Sequence, residues 1–368
     1  MGRSAIAILG AGNTGQGLAG ILASQGEEVR LYDRSERSLE PIREAGGIHL
    51  RHAVEGFGRP QVLTTEMEVA VAGADLVMIT VPAYGHRVIS QILARHIRPG
   101  QIVVFQPGSL GSALEFDNMV AERGSDGIVV AETETCLYTS RIAGPARVDI
   151  RAKKKSVALA ALPATRTSHV VAVLGEPSGG GYVPAESLLQ IGLGNMNPVY
   201  HCAPFLCNIG SVERGEDRPF FQFVTESIAR LVDLVDRERL ALAGALGVRA
   251  TSFWTFLETA YGASGGTFSQ RIHAAYGRGQ PTAAPKTLGA RYLTEDVPFG
   301  LVPWSSLARH LSVPTPTIDA LIQMASALCG RDFRQEGRTV ETLGLSGLDA
   351  GQIRARFIDG VRSEGGRG

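Results

Sequence analysis

The clearest chemistry-bearing spacing in this chain is made of glycines. Ile6-Ala7-Ile8-Leu9 runs directly into Gly10-Ala11-Gly12-Asn13-Thr14-Gly15, after which Leu18, Ile21 and Leu22 supply one face of a helix. Strand, glycine turn and helix in that order form a dinucleotide-binding pattern. Gly10 permits the tight turn, Gly12 lets the backbone approach a pyrophosphate, and Gly15 lets the helix pack closely on the strand. Asn13 and Thr14 complete the turn, and the N-terminus of the helix that follows offers free N–H groups and a partial positive charge to the phosphates. A second apolar run ends at Asp33, eighteen residues after Gly15, placed to hold ribose hydroxyls. Asp33 therefore favours NAD(H), while the adjacent Arg34 and Ser35 could accept a 2′-phosphate and make NADP(H) the second candidate.

Other reactive residue types carry less. His49, His52, His86, His96, His169, His273 and His310 are scattered without metal-ligand spacing, and His86 alone follows a strand closely enough to border a cofactor. His201, Cys202 and Cys207 lie close together but lack a fourth ligand at a convincing distance, so no metal is expected. Lysine is confined to Lys153, Lys154, Lys155 and Lys286, which leaves Lys286 as the sole candidate for lysine chemistry in the second half.

The elements that must position these residues divide the chain in two. Ser4 to Leu9, Glu28 to Tyr32, Asp75 to Thr80, Gln101 to Phe105 and Gly127 to Ala131 read as strands, with helical patterns such as Gln16 to Gln25 and Tyr84 to Ile97 between them. That alternation predicts a parallel α/β sheet of Rossmann type. Ligands bind beyond the carboxyl ends of such strands, so Val81, Pro82 and Ala83, with Gln106-Pro107-Gly108 and Glu132-Thr133, should border the nicotinamide half. Lys153 to Leu162 and Val170 to Leu174 read as further strands, and Glu176 to Gly181 as a turn. The boundary is expected near residue 187, giving a dinucleotide-binding domain over 1–187 and an all-helical domain over 188–368. Apolar residues from Phe220 to Leu240 recur at helical spacing, and a helix from Thr315-Pro316 ends at Gly330.

At 368 residues the chain exceeds one ordinary core. Its 36 basic and 36 acidic residues cancel, without the basic footprint of a nucleic-acid binder. Four sparse cysteines fit a reducing cytoplasm, and no apolar run is long enough to span a membrane. Small molecules are the expected partners, not nucleic acid or membrane, and a homodimer is left open.

Two segments of the second half are more specific. Asn195-Met196-Asn197-Pro198-Val199-Tyr200-His201, together with the run from Arg291-Tyr292-Leu293-Thr294-Glu295-Asp296 to Val297-Pro298-Phe299-Gly300-Leu301-Val302-Pro303, resembles the octopine/opine dehydrogenase family, especially its bacterial members. Pro107-Gly108, Ala113 to Phe116, Glu132-Thr133, Thr315-Pro316, Gly337-Arg338-Thr339 and Leu343-Gly344-Leu345 extend the likeness in order from about residue 5 to 348. The resemblance implies an NAD(P)H-dependent reductive condensation of an amino acid's amine with a 2-oxo acid, through an imine, to a secondary amine. It implies His201 as the catalytic acid/base, Asp296 as its orienting partner and Arg291 as a substrate-carboxylate ligand.

Elementary chemistry suits those roles, because a histidine exchanges protons near neutral pH and a carboxylate at its other nitrogen stabilises imidazolium. Spacing alone does not bring together residues 95 positions apart (296 minus 201). The alternatives are a hydroxy-acid or glycerol-3-phosphate type dehydrogenase, several groups of which employ a catalytic lysine, and a nucleotide-binding protein without chemistry.

Overall fold

The computed structural model describes residues 5–125, 127–216, 219–277 and 285–360. Two compact units divide it: one runs to Ile191 and includes the C-terminal stretch from Ala355, and the other is Gly192–Arg354.

The first unit holds twelve strands: β1 (Ala5–Leu9), β2 (Val29–Tyr32), β3 (Ile48–His52), β4 (Gly56–Gly58), β5 (Val62–Thr64), β6 (Ala74–Ile79), β7 (Ile102–Phe105), β8 (Val129–Thr133), β9 (Tyr138–Gly144), β10 (Arg147–Lys153), β11 (Val157–Leu162) and β12 (Tyr182–Pro184). Eight form one sheet in the order β12-β11-β8-β7-β6-β1-β2-β5. From β8 to β5 every pairing is parallel, and β11 turns antiparallel to β8. All five residues of β1 and all four of β7 are buried, as expected of strands covered on both faces. The strand order reverses between β1 and β6, and it is beyond such a switch point that an open α/β sheet takes its ligand.

A second sheet, β4-β3-β10-β9, was not foreseen in the sequence. It packs on the first helix, Asn13–Ser24, and explains why that helix is buried continuously from Gly15 to Leu22 instead of along one stripe. The fit is backbone to backbone, since a β-carbon on Gly58 would stand 2.0 Å from the Gly20 carbonyl oxygen.

Several local expectations are corrected. Val170 to Leu174 is not a strand but the middle of a helix, Thr167–Ser178, whose buried residues Thr167, Val170, Leu174 and Ser178 fall at spacings of three and four. Its β-branched valines had suggested extended chain, and the burial period overrides that preference. Glu176 and Pro177 belong to this helix, so the turn begins only at Gly179, at φ +66°. The stretch from Lys153 to Leu162 is two elements, the end of β10 and the whole of β11.

The second unit carries helices and no strand among its described residues. Its long helix begins at Glu226, with the Thr225 hydroxyl capping Ile228 N–H, and Phe220–Phe223 before it is a separate 3-10 turn. Arg239 on that helix is fully buried. Its guanidinium binds Asp236 Oδ1 at 2.5 Å, the Thr251 carbonyl at 2.7 Å and the Leu193 carbonyl, while Asp236 Oδ2 accepts the Phe253 N–H at 2.8 Å. One buried ion pair therefore fixes both the segment leading to the His201 helix and the start of the helix Phe253–Tyr261.

Candidate active site

At the glycine turn the structure explains each small residue. Gly10 stands at φ +114°, and Thr80 Oγ1 donates to its carbonyl at 2.9 Å. A β-carbon on Gly15 would lie 1.7 Å from that carbonyl oxygen, so the turn closes only on glycine. Gly12 is different: a β-carbon there would meet nothing within 4 Å. No side chain caps the helix it begins, which leaves first-turn N–H groups facing open space, the fit a pyrophosphate requires.

The neighbouring side chains serve mainly as braces. Asp33 accepts Ala11 N–H on Oδ2 at 2.8 Å and Ser35 N–H on Oδ1 at 2.9 Å, which ties the end of β2 to the turn and orients the carboxylate. Asn13 Oδ1 accepts Ile142 N–H at 2.8 Å, and Thr14 Oγ1 lies 3.4 Å from Cys136 Sγ. Arg34 is exposed, whereas Val81 and Pro82 are half-buried, with Val81 against Gly10 and Pro82 at the start of the helix Ala83–Leu93.

His86 is not a cofactor-edge residue in this arrangement. It is 1% exposed, accepts from or donates to Ser112 Oγ through Nδ1 at 2.9 Å, and meets the Val81 carbonyl through Nε2 at 3.1 Å. Both ring nitrogens are used to hold the strand end. Gln106, Glu132 and Thr133 are likewise fully buried, so their side chains lock the strand ends together. Gln106 Nε2 donates to the Tyr182 hydroxyl at 2.7 Å, and Glu132 Oε1 accepts Ala113 N–H at 2.6 Å.

In the helical unit, His201 lies on the helix Asn197–Cys207, which starts with Pro198 in its first turn. Its Nδ1 is 2.7 Å from Asp296 Oδ2, and the two side chains are only 11% and 9% exposed. Nδ1 therefore donates to the carboxylate, and Nε2 is the nitrogen through which a proton can pass. Asp296 stands where the short helix Arg291–Thr294 gives way to a π-helical turn, Val297–Leu301.

Tyr292, not picked out in the sequence as a site residue, lies parallel to the imidazole with centroids 3.9 Å apart. Tyr200 meets the imidazole at 4.4 Å and joins a stack with Phe253 and Tyr276. Burial pushes the phenols of Tyr200 and Tyr276 up, so both remain protonated donors. The Tyr276 hydroxyl is buried beside the hydroxyls of Tyr200 and Tyr261, which interact with it and push its phenol up further. Cys202 is also buried, which pushes its thiol well up, with the Asp296 charge adding to the effect, and its Sγ faces the Tyr292 carbonyl at 3.5 Å. It is a packing residue, not a nucleophile.

Arg291 opens the segment that carries Tyr292 and Asp296, but its guanidinium pairs with Glu295 and its side chain is 62% exposed. No group of His, Cys, Asp and Glu among the described residues could hold a metal, and no described helix is long and apolar enough to cross a membrane.

A Rossmann-type sheet with an uncapped glycine turn, followed by a helical unit holding a histidine–carboxylate pair, defines an NAD(P)-dependent dehydrogenase class. A family model for the NAD/NADP octopine/nopaline dehydrogenase alpha-helical domain matches residues 184–329, and one for the NAD-dependent glycerol-3-phosphate dehydrogenase N-terminus matches residues 5–112. An opine dehydrogenase of Arthrobacter sp. (strain 1C) is 36% identical over 95% of this chain and 97% of its own length. The protein ocs of Agrobacterium vitis is 29% identical over 97% of this chain and 99% of its own. Octopine dehydrogenase in complex with NADH and agmatine superposes with a TM-score of 0.84 at 22% identity, covering 99% of this chain and 100% of that one. Yersinopine dehydrogenase with NADP+ bound gives 0.72 at 17%, covering 97% and 98%. The chain belongs to the opine dehydrogenase family.

Proposed function

We propose that this protein catalyses the NAD(P)H-dependent reductive condensation of an amino acid's amine with a 2-oxo acid, yielding a secondary amine, with NAD(H) the preferred cofactor. The observation that carries the reading is the 2.7 Å contact between His201 Nδ1 and Asp296 Oδ2 in a largely buried, aromatic-walled setting. The cofactor, when bound, supplies the hydride that reduces the imine carbon. His201 handles the protons: Nε2 takes one from the attacking amine and passes it to the carbonyl oxygen, then relays a second, drawn from solvent, so that this oxygen leaves as water. Asp296 offsets the positive charge on the ring between those events.

Gly10, Gly12 and Gly15 would let the pyrophosphate lie on the first-turn N–H groups of Asn13 and Thr14. Asp33 would accept from the ribose hydroxyls with lone pairs left by Ala11 and Ser35, and this favours NAD(H) by repelling a 2′-phosphate. Arg34 is placed to soften that discrimination, and Val81 and Pro82 would border the nicotinamide half. Arg291 would bind a substrate carboxylate after exchanging its exposed pair with Glu295.

The test is consumption of NADH and of NADPH, followed by absorbance, with a matrix of L-amino acids and 2-oxo acids, each also supplied alone. Oxidation that requires both an amine and an oxo acid is the expected result. Turnover with an oxo acid alone would refute the condensation. A His201→Ala protein that binds cofactor and turns over at a near-normal rate would refute the assignment of the proton-transfer pair.

A further inference from the structure

The π-helical turn that follows Asp296 has an unusual hydrogen-bond problem. Val302 N–H goes to the Val297 carbonyl, five residues back, and so does not reach the Pro298 carbonyl as it would in an α-helix. The next residue able to serve Pro298 in the π pattern is Pro303, which has no N–H. The freed carbonyl is taken from outside: Arg338 N–H donates to it at 3.2 Å. Arg338 is fully buried and lays its guanidinium over the Phe299 ring of the same turn, 5.1 Å from the centroid.

The approach is possible only because of glycines on both sides of the turn. A β-carbon on Gly337 would lie 2.4 Å from the Pro298 carbonyl oxygen and 2.7 Å from Val302 Cγ1. A β-carbon on Gly300 would lie 2.2 Å from Cγ of Pro198, which precedes His201 by three residues on its own helix. Neither glycine needs a left-handed backbone, so alanine is acceptable to both in conformation and unacceptable in space.

The geometry points to Gly300 and Gly337 as positioning residues that clamp this turn between the His201 helix and the Arg338 segment, and so set the distance between Asp296 and His201. The inference rests on the reading of that pair as the proton-transfer machinery, but its first readout does not use activity. The imidazole N–H held by a carboxylate gives a far-downfield proton resonance in the holoenzyme with NADH, identified by its loss in His201→Ala.

In Gly300→Ala this resonance is expected to disappear or move upfield. With it kcat should fall on the order of 10- to 100-fold, the scale of an ångström misplacement, while NADH affinity changes by less than about twofold. Adding Pro198→Gly, which removes both Cγ at 2.2 Å and Cβ at 2.8 Å from the new methyl, should restore the resonance and several-fold of the lost kcat. Gly337→Ala should not be rescued by Val302→Ala, because the Pro298 oxygen stays in the way. If Gly300→Ala proves insoluble, Pro198→Ala alone, which opens the same contact, is expected to lower kcat several-fold. An unmoved resonance in soluble Gly300→Ala, no recovery in the double variant, or unchanged kcat in Pro198→Ala would each overturn the clamp. Near-normal turnover in His201→Ala would instead refute the proton-transfer reading, leaving the clamp to be decided by the resonance.

Discussion

Replacing Asp296 by asparagine isolates the charge behind His201 from its shape. The amide oxygen can still accept from Nδ1, so the imidazole keeps its place, but the negative charge 2.7 Å away is gone. Both side chains are about nine-tenths covered, so water does little to replace it. A hydrogen bond to a charged group contributes about 1.5–3 kcal/mol. At about 1.36 kcal/mol per tenfold, losing it while the ring is protonated lowers kcat by about 10- to 160-fold. Because the charge matters only while the ring carries its proton, kcat and kcat/KM should fall together and KM should stay put. Steady-state NADH consumption with saturating amine and oxo acid reads the effect, and a fluorescence titration of NADH should be unchanged. A folded Asp296→Asn enzyme with kcat within about threefold of the parent would show that the carboxylate does not stabilise a charged histidine, and the proton-transfer scheme would have to be abandoned.

Gly12 and Gly15 should separate in their response to alanine. Gly15→Ala forces the Gly10 carbonyl aside and is expected to lower both Tm and cofactor affinity. Gly12→Ala has room to fold, so Tm should hold while the NADH Kd rises at least about tenfold, about 1.4 kcal/mol; equal behaviour of the two would contradict the pyrophosphate placement. Removing the buried cation with Arg239→Ala strands Asp236 and should cost the helical unit about 3–5 kcal/mol, read by urea denaturation, and a loss under about 1 kcal/mol would contradict the anchoring role. Asp319 tests acid stability. Desolvation raises its carboxyl, but hydrogen bonds from Ser305 and Arg334, with the charges of Arg334 and Arg309, outweigh it and hold the group below the usual aspartate range. Its stabilisation is therefore fully present above about pH 3.9, the unfolded value, and is lost as pH falls through the lower folded one. The stability gap between the parent and Asp319→Asn should be constant from neutral pH down to that point and then close; a gap that widens in acid would reverse the sign.

The two halves of the site differ in how far they could be read in the sequence, and the reason is range. The glycine turn is local: Gly10, Gly12 and Gly15 each answer to atoms within one strand–turn–helix unit, and Asp33 arrives one strand later. The wall over the first helix is hidden in the sequence because its two local pairs, β3–β4 and β9–β10, join only through β3 and β10, about a hundred residues apart, and carry polar, exposed positions that blur alternation. His86 was misplaced for a related reason, since its proximity to a strand end says nothing of Ser112, which turns it inward.

His201 and Asp296 had chemistry that suited each other, but only the family resemblance joined them. Their meeting depends on a π-turn whose hydrogen bonds are completed by Arg338, a residue 42 positions beyond Asp296 (338 minus 296). Tyr292 shows the same limit more sharply. It lies between Arg291 and Asp296 in the family-like segment but nothing in its period gives it a role, yet once Asp296 is held against the helix, the turn that precedes it lays that ring on the imidazole. In the proposed scheme the stacked ring and the carboxylate would act on the same proton, one by keeping water from the imidazole face and the other by stabilising the charge that proton brings.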